Sequence, residues 1–470
     1  MLSSYRASHE AWLQGAVEAD WLRALRERAL AGFEAHGFPS KKVEAWKYSS
    51  TAKLARTPWV HDHGALFEAL AGGLVGEHGL RGAAAELVFV NGAYAAGLSR
   101  IGELPAGVDI QPLHRVLADE NVGSRLDPAN WPALPDAART TLGPYRLNGG
   151  GVASDASAAS RPESAFDLLN TAFLQDGVVV RVDKGVELSA PVHVVLVTLG
   201  EGAPIATHPR LLLDLGAHAG LTVVERHVGS GDEPSLVNAV TDAIVGPGAR
   251  LTHHLWRLAG PNTTHVGHVR VQVGRDARFE SHVAWLGGSW SRNDLDVRFT
   301  GPGGEAVCTG VTLAAGSEHV DHHTWLRHEA AHCASRETYK GVYGGRSRGI
   351  FNGMVYIAKD AQHTDADLGS RNVLLSDKAQ VMAKPELEIH ADDVKAAHGC
   401  TVGQLDATQL AYLRTRGVDA DLARRMLTEG FVVDLLGEIS DESLREASAE
   451  LVRARLRDVL GADAANGEDA

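Results

Sequence analysis

From about residue 185 to residue 400, apolar and polar positions alternate in short stretches that Gly, Asp and Asn interrupt. Alternation with a period of two is typical of β-strands that bury one face. Earlier stretches at 86–90 and 177–182 have the same character, and Asn91-Gly92 supplies a turn after the first of them. No segment of helical periodicity lies between the later strands, which argues against alternating strand–helix units. The pattern therefore predicts a mainly β core.

This β-rich region also repeats itself. Residues 246–255 (GPGARLTHHL) align with residues 274–283 (GRDARFESHV), and weaker copies begin at Gly216 and Gly301. The four copies start 30, 28 and 27 residues apart, so each holds a turn and two or more short strands. A unit of this size cannot bury both strand faces alone and must stack on its neighbours. A β-solenoid and a large sandwich both satisfy this condition, and the persistent period favours the solenoid.

Helical periodicity is clearest at the two ends of the chain and in one short segment, whereas residues 41–145 are mixed. Apolar residues recur every four positions from Leu13 to Phe33, which predicts one amphipathic helix over 10–36. Phe166–Leu174 predicts a short helix. Beyond Gly403, helical spacing returns and predicts three helices, at 405–415, 419–436 and 441–460.

These patterns divide the chain into four parts. The predicted parts are an N-terminal helical and mixed region at 1–145, a small-residue linker at 146–165, a β-core at 166–402 and a C-terminal helical region at 403–470.

Composition narrows the possible functions. Lys and Arg number 45 and Asp and Glu 59, giving a net charge of −14, which disfavours a nucleic-acid binder. Three cysteines exclude a disulfide framework and a four-cysteine cluster site within the chain. We also find no signal-peptide pattern, no apolar run of about 20 residues and no P-loop, so we expect a cytoplasmic protein without a membrane or nucleotide site of its own.

Three motifs suggest enzymes. His328-Glu329-Ala-Ala-His332 matches the H-E-x-x-H pattern of zinc hydrolases, in which two histidines one helical turn apart bind zinc and the glutamate is the base. The flanking residues have strand character, so we keep a zinc hydrolase only as the alternative hypothesis. The G-x-S-x-G match at 345–349 precedes a strand instead of the helix that a nucleophile elbow requires. Asp294 and Asp296 would be the carboxylate pair of a carbohydrate-active β-helix enzyme, a third and weaker hypothesis.

An ordered series of motifs in the second half of the chain is more specific. The motifs are SRETYKGV at 335–342, IFNG at 350–353, AQHTDA at 361–366, NVLLS at 372–376, KPELEI at 384–389, ADDV at 391–394, HG at 398–399 and TVGQL at 401–405. In this order and spacing they closely resemble the SufB/SufD family of iron–sulfur cluster assembly proteins, and the PELEI–ADDV–HG–TVGQLD form resembles the SufD branch. Weaker similarity extends back through LNTAF at 169–173 to EAWKY at 44–48.

The resemblance implies a fold and a set of partners. The fold is a right-handed parallel β-helix flanked by N- and C-terminal helical regions. The role is that of a non-enzymatic scaffold that pairs with a SufB-like paralogue through the end of the β-helix and docks a SufC-like ATPase through its C-terminal helices. It further implies a homodimer when SufB is absent. No tightly bound cofactor is expected on the isolated chain, whereas a transient iron–sulfur cluster at the SufB interface and reduced flavin are expected for the complex.

The resemblance also points to candidate site residues. The family motif C-x-H-G-A-T, whose Cys and His are implicated in cluster assembly, corresponds here to Ala396-Ala-His398-Gly-Cys400-Thr. His398 matches, whereas the family cysteine is Ala396 and a cysteine stands two residues after the histidine. On a strand, residues 398 and 400 share a face about 7 Å apart, and both side chains are competent iron ligands. We therefore predict His398 and Cys400 as cluster-assembly residues, and Cys308 and Cys333 as buried structural thiols.

Overall fold

A computed structural model describes residues 2–14, 19–61, 68–118 and 165–467. The linker predicted at 146–165 lies outside the described residues except for its last position. The helices are α1 (Leu2–Leu13), α2 (Asp20–His36), α3 (Glu68–His78), α4 (Leu113–Ala118), α5 (Ala165–Ala172), α6 (Ala407–Thr415), α7 (Ala420–Val433) and α8 (Glu442–Gly467), with 3₁₀ turns at Glu44–Trp46, Ala96–Leu98 and Asp434–Glu438.

The strands form two long sheets. In chain order they are β1 (Ala85–Val90), β2 (Ala93–Tyr94), β3 (Arg100–Ile101), β4 (Val108–Pro112), β5 (Gly177–Val182), β6 (Val192–Gly200), β7 (Ile205–Thr207), β8 (Arg210–Leu215), β9 (Gly220–Gly231), β10 (Ser235–Val245), β11 (Arg250–Leu258), β12 (Thr263–Val273), β13 (Arg278–Trp285), β14 (Trp290–Phe299), β15 (Glu305–Ala314), β16 (His319–His328), β17 (Ala334–Tyr343), β18 (Arg348–Ile357), β19 (Asp365–Leu374), β20 (Gln380–Ile389) and β21 (Lys395–Gly403).

Successive strands from β9 onward alternate between the two sheets, and each pairs in parallel with the strand two positions away. One sheet runs β1, β6, β9 and then every odd strand to β21, and the other runs β5, β8, β10 and then every even strand to β20. This connectivity is a β-solenoid of about eight turns, which confirms the predicted fold class. The register of the strands follows the sequence repeat. The equivalent residues Gly220, Arg250, Arg278 and Glu305 lie side by side across four strands. One apolar core extends along the interior of these turns.

The turns repeat a left-handed backbone conformation at one position. Such a conformation is strained for most side chains and is accepted mainly by Gly, Asn, Asp and His. At Gly303, an added Cβ would lie 2.2 Å from Oδ1 of Asp276 in the preceding turn, so the Asp276 side chain would have to move. The positions with positive φ along this edge are His218, Gly248, Asp276, Gly303, His332 and His363.

The N-terminal end of the solenoid is closed by short antiparallel strands. β2 and β3 pair with β1, and β4 pairs with β5, all antiparallel. Because β1 continues the sheet in parallel with β6, residues on both sides of the segment 119–164 build the first turn. The short α5 packs against α2 beside this end.

The single helix predicted over 10–36 is wrong, because the structure has α1 and α2 in its place. Gln14 is a turn residue and Ala19 is extended, with φ −66° and ψ 143°, so the helix cannot continue through it. The break lets α1 return along α2, where the Tyr5 and Phe33 rings meet edge to face with centroids 5.5 Å apart. A single straight helix could not bury these aromatic side chains against each other.

The C-terminal helices predicted beyond Gly403 are confirmed. Asp419 caps α7 by accepting hydrogen bonds from two backbone amides, and Gly417 ends α6 with φ 84°. The last turn of α7 and most of the apolar positions of α8 from Leu444 to Val459 pack on the outer face of the odd-numbered sheet. Among the helices of the described residues, none has the length and apolar character needed to cross a bilayer.

Candidate functional site at the open end of the solenoid

The C-terminal end of the solenoid is open, in contrast to its closed N-terminal end. β20 and β21 are the last strands of their sheets, and within the described residues each pairs along one edge only. Inner-face residues that are buried in earlier turns become half-exposed or exposed here, and Ile389 and Val402 are 40% and 45% exposed. An unpaired strand edge exposes free backbone N–H and C=O groups, which suit pairing with another chain.

His398 and Cys400 lie in β21 on the inner face of this last turn. The register pairs His398 with Leu368 and Cys400 with Ser370, both buried side chains of β19. Gly399 pairs with Gly369 and stays within the strand, so no turn separates the two candidate residues. His398 is exposed and Cys400 is half-buried. Burial raises the pKa of the Cys400 thiol, and hydrogen bonding with Ser370 partly offsets this effect.

Position 396, where the family motif has its cysteine, belongs to the same inner row. Ala396 pairs with buried Ala366, two residues before His398, just as Cys400 lies two residues after it. Because successive side chains of a strand alternate in face, positions 396, 398 and 400 all point inward. The sequence difference therefore moves a thiol from one side of His398 to the other without changing its face or its spacing.

A cavity of about 490 Å³ lies beside this end, and Cys400 is part of its wall. Val381 and Ala383 line it together with Met382 and Lys384, so both faces of β20 contribute and the cavity follows the free edge of that strand. The segment 44–48 forms the opposite wall. The remaining lining residues are Glu44, Ala45, Tyr48, Asp321, His323, Ile350, Phe351, Asn352 and Val402.

Asp321 and His323 form a buried polar pair in that wall. The His323 Nε2 and Asp321 Oδ1 atoms are 2.9 Å apart, Ser49 donates to Asp321 Oδ2 at 2.5 Å, and Arg292 lies 3.2 Å from the same oxygen. Burial alone would raise the pKa of Asp321, but Arg292 and His323 outweigh it and lower the pKa to about 2. The sequence alone does not single out this pair. The alternation of apolar and polar residues along 320–326 indicates that Asp321 and His323 lie on the same face of a strand. It does not indicate that the segment 44–51 covers that face.

The zinc site predicted from H-E-x-x-H is wrong, because these three residues do not share a helix. His328 ends β16 with its ring inside the solenoid, stacked on Phe299 and within 3.0 Å of the Ser335 hydroxyl. Burial lowers the pKa of His328 to about 3. Glu329 instead accepts a hydrogen bond from Arg298 on the outer side, and His332 lies in the following turn.

The other two enzyme motifs are also structural. The G-x-S-x-G match is a turn, with φ 62° at Gly345, and it leads into β18 and not into a helix. Asp294 pairs with Arg292, and Asp296 pairs with Arg327, so neither carboxylate is available as one of a catalytic pair.

Cys308 and Cys333 are fully buried, as predicted for structural thiols. Burial raises the pKa of both. Cys400 is therefore the most accessible thiol of the chain. In the described residues, no three His, Cys, Asp or Glu side chains are placed to hold one metal ion. His398 and Cys400 are two candidate donors, fewer than an iron–sulfur cluster needs.

Comparison with known proteins identifies the family. Residues 197–431, half of the chain, match the family described as SUF system FeS cluster assembly, SufBD core domain, and residues 4–122 match the SufBD protein N-terminal region. The chain belongs to the SufBD family. This membership confirms the resemblance seen in the sequence and makes the chain a SufD-like iron–sulfur cluster assembly protein.

Individual relatives agree with the SufBD assignment. The chain is 28% identical to the iron–sulfur cluster assembly protein SufD of Escherichia coli (strain K12), over 89% of this chain and 90% of that protein. It is 27% identical to an iron–sulfur cluster assembly SufBD family protein of Synechocystis, over 89% and 87%. A SufBD family protein of Mycobacterium tuberculosis (strain H37Rv) is 31% identical over 65% of this chain and 75% of its own length.

Proposed function

We propose that this SufBD protein is a non-catalytic scaffold subunit of the SUF system. In this proposal it pairs with a SufB-like paralogue through the open end of the solenoid and docks a SufC-like ATPase on its C-terminal helices. His398 and Cys400 contribute ligands to a cluster assembled at the paralogue interface. The complex works in the cytoplasm with reduced flavin, and the chain forms homodimers where the paralogue is missing.

The open end is the observation that carries the proposal. Natural proteins usually cover, shorten or charge the edges of their sheets. Here β20 and β21 span ten and nine residues, and the inner side chains that the next turn would cover remain partly exposed. A second β-solenoid end has the matching edges, which favours a paralogue as the partner.

A separate surface suits the ATPase. Within the described residues, α6 has no buried side chain and contacts chiefly α7, with which it forms a helical hairpin on the outside of the solenoid. Three large apolar side chains lie exposed on this hairpin: Tyr412 at 58%, Met426 at 48% and Leu422 at 37%. Exposed apolar side chains on one element are a common feature of protein interfaces.

The number of possible cluster ligands on β21 supports a site that is shared between two chains. The inner row of β21 supplies one imidazole and one thiolate, both competent iron ligands. The other ligands would come from the partner, whose last strand would lie against β21. A cluster held in this way is cargo that leaves the complex, which agrees with a site left open in the single chain.

Co-purification of this chain with SufB-like and SufC-like partners tests the two surfaces separately. Val402→Asp places a charge on the open end and should remove the paralogue while keeping the ATPase. Tyr412→Asp combined with Met426→Asp should have the opposite effect. Leu70→Asp, a change at a comparably exposed apolar residue on α3, is the matched control and should leave both partners bound. If neither partner binds the unaltered chain, the proposal is wrong.

Reconstitution of the assembled complex with iron and sulfide tests the site. His398→Ala should leave the complex intact but lower the iron and labile sulfide bound per complex. His363→Ala, at an exposed histidine in a turn, is the control and should not. An unchanged cluster yield in His398→Ala would remove the histidine from the mechanism.

A further inference from the structure

The interior of the solenoid is not uniformly apolar. Along one edge the inner rows are formed by Leu, Val, Phe and Ala, whereas the middle and the opposite edge carry buried polar side chains in successive turns. Most of these polar groups bond to each other. Several others have nitrogen or oxygen atoms without a hydrogen-bond partner among the described residues, and one of these side chains is an arginine.

Arg257 lies on the inner face of β11 and is 1% exposed. No hydrogen bond or ion pair joins its guanidinium to any described residue, and its Nε and Nη1 atoms are completely enclosed. Its position is built into the fold, because a Cβ at Gly267 on the facing strand would lie 2.4 Å from Nη2. A buried charge is strongly unfavourable unless hydrogen bonds and an opposite charge compensate it.

Trp285, which lies beside Arg257, also lacks a hydrogen-bond acceptor for its N–H group within the described part of the chain. The Arg257 Cζ lies 4.8 Å from the ring centroid of Trp285, whose indole N–H has no partner among the described residues. The His322 ring meets the Trp285 ring edge to face at 4.4 Å, and its Nδ1 is likewise unpaired. Arginine and tryptophan side chains carry N–H donors and no nitrogen acceptor. What Arg257 and Trp285 lack among the described residues is therefore a hydrogen-bond acceptor.

Glu225 is the carboxylate whose charge acts on Arg257, but its oxygens are already engaged. It accepts hydrogen bonds from His227 at 2.6 Å, from His253 at 3.0 Å and from Thr241 at 2.9 Å. It compensates the Arg257 charge at longer range and leaves the guanidinium N–H groups unsatisfied. In an interior of low dielectric, a negatively charged acceptor satisfies these donors more strongly than a neutral one.

We infer that the solenoid interior holds a small inorganic anion, of the size of chloride, on the guanidinium of Arg257 beside Trp285. The ion must be small, of one or a few atoms, because two packed sheets lie only about 10 Å apart. This site lies several turns from the open end and does not depend on the proposed partners.

Crystals of the full chain grown in bromide test the inference directly. An anomalous peak from bromine is expected within hydrogen-bond distance of an Arg257 nitrogen. Density for water alone at that place, without an anomalous signal, would overturn the inference. The unaltered chain suffices for this experiment, so the result does not depend on whether any variant folds.

Thermal unfolding provides the solution measurement. The melting temperature of the unaltered chain should rise with chloride concentration when gluconate keeps the ionic strength constant, because only the folded chain binds the ion. Arg257→Met should abolish the rise, whereas Arg250→Met, an exposed arginine on the same strand, should keep it. Trp285→Phe retains the ring, removes one donor and should weaken the chloride dependence. Equal chloride dependence in Arg257→Met and the unaltered chain would contradict the site.

Discussion

Replacing Glu337 by glutamine removes a buried acid without changing the shape of the side chain. Glu337 lies on the inner face of β17, beside Cys308 in the register, and neither carboxylate oxygen has a hydrogen-bond partner among the described residues. Burial raises the pKa of Glu337 to about 8 from its ordinary 4.5, and a weak interaction with the Thr324 hydroxyl offsets only part of this effect. The folded chain therefore holds a proton at neutral pH that the unfolded chain releases.

The sign follows from proton linkage. Between the unfolded and folded pKa values, the native state binds more protons than the unfolded state, so the free energy of unfolding falls as pH rises. The slope is about 1.4 kcal/mol per pH unit, which gives a loss of about 2 kcal/mol between pH 6 and pH 8. Glutamine does not titrate, so Glu337→Gln lacks this loss. The stability of the variant relative to the unaltered chain should rise by that amount across this interval and level off above pH 8.

Urea unfolding of both proteins at half-unit steps from pH 6 to pH 9 measures the difference. Groups that titrate equally in both chains cancel from the comparison. Glu305→Gln, which removes an exposed carboxylate paired with Arg278, is the control and should follow the unaltered chain. If Glu337→Gln also runs parallel to the unaltered chain over this range, Glu337 is ionised inside the fold and the reasoning about its burial is wrong.

Three further outcomes are expected. Cys400→Ala should lower the cluster yield of the reconstituted complex, and adding Ala396→Cys should restore it, whereas adding Ala397→Cys should not, because position 397 faces outward. Lys340→Met removes a buried ammonium that bonds to the end of α7, so the C-terminal helices should exchange amide hydrogens faster, with a loss of about 1–2 kcal/mol. Gly303→Ala should lower the free energy of unfolding by more than about 1 kcal/mol. The control is an alanine substitution at a left-handed glycine whose added Cβ would have no neighbour within 4 Å, and urea unfolding measures both variants.

Local patterns predict this fold well where neighbouring turns repeat them. The 30-, 28- and 27-residue spacings reappear as the register of four strands because stacked turns must align their inner rows. The helix predicted over 10–36 failed for the opposite reason, since its two halves have the same periodicity and only tertiary contact separates them. Asp321 shows another limit. Alternation places it on an outer face, but the segment that buries it lies some 270 residues earlier in the chain, so no local pattern reveals its burial.

The proposed ATPase surface is hydrogen-bonded to the last turns of the solenoid through α7. Lys340 of β17 donates to the carbonyl of Phe431 in α7, and Arg424 of the same helix reaches the Leu375 carbonyl just after β19. Inside these turns there is little room for adjustment, since a Cβ at Gly341 would meet the Tyr343 ring at 2.3 Å. Closely packed interiors transmit displacement as whole elements instead of absorbing it. A partner that displaces α7 is therefore expected to act first on β17 and on the end of β19, the strand that pairs with β21 and His398.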